Sequence, residues 1–205
     1  MAAVIDQTEG HAAAGFADPV HEPQAIFRAV LGAMSRPGTA QALTAPSVPP
    51  APLAPIGAAV ALTLFDQDVT VWLSPSLAVD AVRDYLRFHT GTRIVEAPAT
   101  ATFILCASPG EIPPFDSLAQ GTPAYPDRSA TIIVDVSDAA VTGDRALLSG
   151  PGIEHPLMLA LPGFDRRLWM ELQANHRAYP LGVDLVICMD RAVIGLPRST
   201  KIEVA

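Results

Sequence analysis

Twelve arginines carry nearly all the positive charge of this 205-residue chain, and Lys201 is its single lysine. Arginine presents a planar fork of donors that suits two-point contact with a carboxylate or a phosphate, so this bias points to a small anionic ligand or to structural ion pairs. Three loops set glycine and proline beside polar groups. Leu148-Ser149-Gly150-Pro151-Gly152-Ile153 could free backbone N–H groups to line an anion pocket. Tyr179-Pro180-Leu181-Gly182-Val183-Asp184 leads into an apolar run and puts Asp184 at its start, while Gly195-Leu196-Pro197-Arg198-Ser199-Thr200 offers an arginine with two hydroxyls. Loops of this kind present function on a rigid scaffold, and they serve equally as tight connections between strands. Ser149, Gly150, Gly152, Asp184 and Arg198 are thus candidate ligand-binding residues. In the alternative reading, Gly150 and Gly152 permit a turn with positive φ and the arginines pair with carboxylates such as Asp18 and Asp184.

Other chemistries find little to stand on. The five histidines, His11, His21, His89, His155 and His176, never take the spacing of a zinc helix or knuckle, and neither cysteine has a ligand neighbour, so no metal site is expected. The chain has no Gly-x-Gly-x-x-Gly turn, no phosphate-loop Gly-Lys-Ser/Thr and no Gly-x-Ser-x-Gly elbow. Asp66 with Asp68 and Asp135 with Asp138 lie in or beside expected turns, where capping outweighs acid–base work. A pyridoxal enzyme needs a lysine for its Schiff base, and Lys201 stands four residues from the end of the sequence; no pyridoxal phosphate is expected.

The elements that must position these loops follow from periodicity. Pro23 suits the first turn of a helix in which Ile26, Val30, Ala33 and Met34 share a face until Pro37-Gly38 stops it. The proline-rich stretch 44–56 reads as extended loop. Ala58–Phe65 and Thr70–Leu73, separated by Asp66-Gln67-Asp68, read as two strands and a turn. Leu77–Phe88 is an amphipathic helix with a salt-bridged outer face, and Phe164–Asn175 is another. Thr102–Cys106, Ala130–Val136 and Val183–Met189 are continuous apolar runs, which suits strands covered on both faces. Short strands near 145–161 and 192–204 add antiparallel hairpins. The expected architecture is a single α/β domain over 16–205, a three-layer mixed sheet, preceded by a flexible arm at 1–15.

Half the residues are hydrophobic, 17% are charged and the mean hydropathy is +0.31, so a chain of this size can bury roughly 70% of its unfolded surface. The net charge of −8 repels phosphate backbones and anionic membranes, which argues against nucleic acid and membrane partners. No apolar run reaches the length of a membrane helix, the first residues do not resemble a signal peptide, and Cys106 and Cys188 sit in apolar β-branched segments as buried thiols do; a cytoplasmic place is expected. So high an apolar content in a loop-rich chain also predicts a covered apolar patch, hence a homodimer.

Taken in order, several stretches resemble the PhnH family, the H subunit of the bacterial carbon–phosphorus lyase system. They are Gly15-Phe16-Ala17-Asp18-Pro19-Val20, Gln24 with Phe27-Arg28, Ala33-Met34-Ser35-Arg36-Pro37-Gly38, Tyr85-Leu86-Arg87-Phe88-His89-Thr90-Gly91, Gly121-Thr122-Pro123-Ala124-Tyr125-Pro126-Asp127, Ser129-Ala130-Thr131 and the three loops above. The resemblance implies a fold similar to pyridoxal-dependent transferases without the cofactor site. It also implies a homodimer in isolation and a larger complex with the G, I and J subunits. That complex joins an alkylphosphonate to the ribose C1 of ATP with loss of adenine, before pyrophosphate removal and radical cleavage of the carbon–phosphorus bond. The family has no firmly assigned catalytic residue here, so the role is structural or ligand-binding at a subunit interface, towards a phosphonate or an ATP-derived ligand. The alternative is a self-sufficient transferase acting on a small phosphorylated substrate. Arg28, Arg36 and Arg87 lie in matching stretches and join Arg198 as candidates, and whether the four converge in one cleft discriminates the readings.

Overall fold

The structure is a computed structural model that describes residues 14–45, 48–140 and 143–205. Most of the expected arm therefore lies outside the described residues. Its last two residues are docked: the Tyr85 hydroxyl donates to the Ala14 carbonyl at 3.4 Å, and a Cβ on Gly15 would sit 2.8 Å from the His89 ring.

The three apolar runs form the centre of the molecule. β4 (Phe103–Cys106), β5 (Thr131–Asp135) and β8 (Asp184–Met189) lie side by side and parallel, with Ile104 opposite Ile132 and Ile132 opposite Leu185. Their inner residues are buried on both faces, which is why they show no polar alternation. Beyond β4 the sheet continues in parallel through β2 (Thr70–Leu73) to β3 (Arg93–Ile94). Beyond β8 it turns antiparallel through β9 (Ala192–Leu196) to β1 (Gln41–Ala42), giving the order β1-β9-β8-β5-β4-β2-β3.

One face of this sheet is covered by α1 (His21–Ser35), α2 (Pro55–Leu64) and α3 (Asp80–Thr90), which bury Ile26, Val30, Val60, Val82 and Leu86 against it. The other carries α4 (Arg166–Arg177) and a small antiparallel sheet of β6 (Ala146–Ser149), β7 (Leu157–Leu159) and β10 (Lys201–Val204), with Leu148, Phe164, Trp169 and Ile202 in its core. The mixed α/β architecture is therefore as expected. Local signals fix the helix ends: Asp18 Oδ1 accepts from the Val20 and His21 amides, Asp165 Oδ1 caps Leu168 N at 2.9 Å, and α3 stops at Gly91 with φ +70°.

One element is corrected. Of Ala58–Phe65, expected as a strand, Ala58–Leu64 belong to α2, which begins at Pro55 and takes the end of the proline-rich loop with it, and Phe65 is its extended C-cap. Ile56–Ala61 are all buried because α2 is wedged between α1, α3 and the sheet. A helix apolar on every side shows no 3.6-residue period, and its alanines and leading proline favour helix over strand. Thr70–Leu73 is a strand, but it pairs in parallel with β4 and β3 rather than in a hairpin with 58–65. Among the described residues no helix is long and apolar enough to cross a membrane.

Candidate functional site

The three glycine loops meet at the amino ends of the parallel strands. Asp184 is the first residue of β8, and Arg198 sits on the turn from β9 to β10. The guanidinium grips the carboxylate with both arms, Nε to Oδ1 at 3.1 Å and an Nη to Oδ2, while the Arg198 amide adds a 2.8 Å bond to Oδ1. Its other Nη donates to the Pro126 carbonyl at 2.7 Å. With the two side chains 14% and 18% exposed, this is a half-sheltered latch tying three segments together. It floors an open depression of about 300 Å³ bordered by Pro126, Asp127, Tyr179, Pro180 and Ser199. Two carboxylates there face one guanidinium, so the field disfavours an anion.

Ser149 closes β6 opposite Lys201, and Gly150 (φ +119°) and Gly152 (φ +80°) turn the chain beneath the end of α1. A Cβ on Gly152 would lie 2.2 Å from the Ser35 carbonyl oxygen, and one on Gly150 3.2 Å from that of Ser199. The loop is thus a close-packed junction of backbones. A second junction holds the 179–184 loop, where the Asn175 amide exchanges bonds of 2.9 and 2.8 Å with both backbone groups of Val183.

Of the other arginines, Arg36 follows Ser35 and so adjoins the Gly152 junction. Arg36 is exposed at the end of α1, with an Nη 3.2 Å from Gln41 Oε1. Arg28 is exposed along α1, and Arg87 is exposed on α3, the helix packed by β3 at the opposite edge of the sheet. Of the four, only Arg198 borders the depression, and Arg87 stands toward the opposite edge of the sheet from the rest. Of the two carboxylate partners anticipated, Asp184 does pair with an arginine, whereas Asp18 caps α1 and lies 2.7 Å from the His21 ring.

The carboxyl ends of the strands, where open α/β sheets usually bind ligands, are more closed. Cys106, Asp135, Asp138, Leu53 and Gly57 border a cavity of about 50 Å³ under the start of α2. Asp135 accepts from Ser137 N at 2.9 Å and from its hydroxyl, as the turn reading expects. Burial nevertheless pushes its carboxyl above the usual aspartate range, helped by Asp138 and Asp190. Burial also pushes the Cys106 and Cys188 thiols far up, so neither is a ready nucleophile. Sequence reasoning placed the loops but not this cavity, because its lining is drawn from segments between residues 52 and 138 that carry no shared motif.

Comparisons with known proteins place this arrangement. Residues 14–203 match the family described as bacterial phosphonate metabolism protein (PhnH). The chain is 41% identical over 192 residues, 92% of its length and 94% of the relative's, to the alpha-D-ribose 1-methylphosphonate 5-triphosphate synthase subunit PhnH of Rhizobium meliloti (strain 1021). It is 29% identical over 185 residues, 88% of its length and 85% of the relative's, to HtxG of Stutzerimonas stutzeri, provisionally named a C-P lyase subunit protein.

Proposed function

This chain belongs to the PhnH family of bacterial phosphonate metabolism proteins, and from that premise we propose that it serves as one subunit of a carbon–phosphorus lyase assembly. Its place is the stage that joins an alkylphosphonate to the ribose of ATP, alongside G, I and J subunits, with the chain homodimeric in isolation and cytoplasmic. The observation that carries this reading is the layout of the arginines. Arg198, which borders a depression, is spent on Asp184 and Pro126, Arg28 and Arg36 are exposed along and at the end of α1, and Arg87 is exposed on α3 toward the opposite edge of the sheet. A self-sufficient transferase for a phosphorylated substrate would need converging cations, and the layout lends it no support.

The same reading assigns no pyridoxal phosphate to the chain, although it keeps the similarity to pyridoxal-dependent transferases as its fold-level proposal. Lys201 stands on β10 with its ammonium 2.6 Å from Glu203, and both side chains are more than half exposed. A Schiff-base lysine is shielded and aimed into a cavity; these residues do not fit that group.

The test is reconstitution. The purified chain incubated alone with ATP and methylphosphonate should release no adenine, whereas adding it to purified G, I and J subunits should restore adenine release and formation of the ribosyl phosphonate triphosphate. Turnover by the isolated chain, or full activity of the other subunits without it, would overturn the proposal.

A further inference from the structure

Of the chain's three tyrosines, Tyr85 is buried on α3, whereas Tyr125 and Tyr179 are both more than half exposed. These two meet at one place. Tyr179 lines the depression of about 300 Å³ at the amino ends of the strands, and Tyr125 immediately precedes Pro126, which lines it too. The Arg128 guanidinium already lies over the Tyr125 ring, 4.1 Å from its centroid. Among the described residues the Tyr179 ring has no such partner. An exposed tyrosine suits an interface, because its ring offers a large contact at little cost in conformational entropy. The ground around it is stiff, since Pro126, Pro180 and Pro197 fix their φ angles and the Arg198 latch ties their segments together.

The charge beside Tyr179 is one-sided. Asp127 borders the depression, is exposed, and makes no hydrogen bond or ion pair from its side chain among the described residues. Asp184 cancels the charge of Arg198, and Arg128 is drawn onto Tyr125. A free carboxylate is thus left next to an open aromatic face, and together they attract a cation, the first by ion pairing and the second through the negative face of the ring. The segments that carry Asp127 and Ser199 also hold the buried hydroxyls of Ser129 and Thr200, which have no hydrogen-bond partner among the described residues, so these walls keep unfilled bonding capacity. The depression is open and at the small end for a pocket that must enclose a free ligand. A side chain presented by another protein needs no enclosure, because the surrounding contact excludes water for it.

We propose that this depression receives an arginine side chain from a different subunit of the carbon–phosphorus lyase assembly, its guanidinium stacked on Tyr179 and paired with Asp127. Arginine fits better than lysine because its planar fork stacks on a ring and pairs with a carboxylate at once, and Arg128 on Tyr125 shows the stacking half of that arrangement within the chain itself. The net charge of −8 favours a basic partner surface in the same sense. The proposal rests on the assembly reading and gives it a point of contact.

The experiment measures equilibrium binding of the purified full chain to the purified G, I and J subunits at low and high salt. Asp127→Lys should weaken binding about tenfold or more, and Asp127→Asn should weaken it less while flattening its salt dependence. Tyr179→Leu, which keeps apolar bulk and loses the aromatic face, should weaken it about tenfold, whereas Tyr179→Phe should bind as wild type does. Both positions are exposed, so melting temperatures should stay near wild type; if Tyr179→Leu loses stability, the Asp127 variants carry the test. Wild-type affinity and salt dependence in Asp127→Lys would overturn the contact and leave the assembly standing, as would Tyr179→Leu binding as tightly as Tyr179→Phe. A wild-type chain that does not bind the G, I and J subunits would overturn both. Variants that assemble normally yet fail to restore adenine release would make the depression a small-molecule site and sink the proposal. Variants whose mass in light scattering falls relative to wild type would give it to a second copy of this chain, with the same result.

Discussion

The two ends of the parallel strands are built by different means. At the amino ends, chain segments are held together by polar latches and by glycines where backbones nearly touch: Arg198 on Asp184, Asn175 on Val183, Gly152 against Ser35. At the carboxyl ends the strands run into apolar packing under α2, around a small cavity with one half-buried carboxylate. Doubly wound sheets usually reverse this, with a tight structural bottom and polar ligand loops at the carboxyl ends. Here Arg198, Asp184 and Asn175 are satisfied internally and specify where the loops sit, while the buried hydroxyls of Ser129 and Thr200 in neighbouring segments have no hydrogen-bond partner among the described residues. This fits the proposal of a subunit that works through its surfaces.

The contrast is broken most forcefully at glycine. Gly152→Ala should cost about 3 kcal/mol or more, roughly a 10 °C fall in melting temperature, because a Cβ 2.2 Å from a carbonyl oxygen at φ +80° forces the backbones of two segments apart. In α2 the opposite holds: a Cβ on Gly57 meets nothing nearer than a Leu53 methyl at 3.9 Å. Gly57→Ala should raise stability by about 0.5–1 kcal/mol through helix propensity. Differential scanning calorimetry of the pair checks both; equal effects would erase the distinction between the two ends.

The Arg198 latch comes next in size. Arg198→Gln leaves Asp184 largely sheltered with two of its three hydrogen bonds gone and should cost about 2–3 kcal/mol, somewhat below the loss for a fully buried pair because both groups keep some solvent. Asp184→Asn should cost a similar amount, and the double variant clearly less than the sum, since the second change removes a partner already lost. Additive losses in chemical denaturation would mean that the pair is not the unit holding the loops. A wild-type melting temperature in Arg198→Gln, with loss of phosphonate-dependent growth, would return Arg198 to the ligand-binding role its loop suggests.

How far the sequence revealed this depends on how local each signal is. The centre of the sheet was legible at β4, β5 and β8 because burial on both faces leaves an unbroken apolar run, and α1, α3 and α4 because each keeps a polar stripe. α2 was not, since burial on all sides removes the period that distinguishes helix from strand, and Ala58–Phe65 carries no polar residue except Thr63, which bonds back to Ala59. The glycine loops were visible as loops, and Asp184 as a partner for arginine. What could not be seen was distance: that Ser35 presses on Gly152, that Arg198 reaches Pro126, and that Arg87 stands at the far edge from Arg36. Those facts depend on strand order, which no local pattern encodes.

The smallest effect is also the sharpest test of the carboxyl end. Burial raises the Asp135 carboxyl above its ordinary range, so the fold disfavours the charged form relative to the unfolded chain. That penalty is complete once pH exceeds the folded value, shrinks as pH falls through it, and vanishes below the unfolded value of about 3.9. Asp135→Asn keeps an oxygen to accept from Ser137 N but removes the charge, so at pH 7 the variant should be at least as stable as wild type. Its advantage should narrow on acidification until the two melting curves coincide near pH 4. The outcome that sinks the comparison is a wild type more stable than the variant at pH 7 that loses its lead as acid is added. That would mean the Asp135 carboxylate is favoured in its charged form, held by a cation or a donor at the carboxyl ends, which would then be a better candidate for a functional site than the amino-end latch.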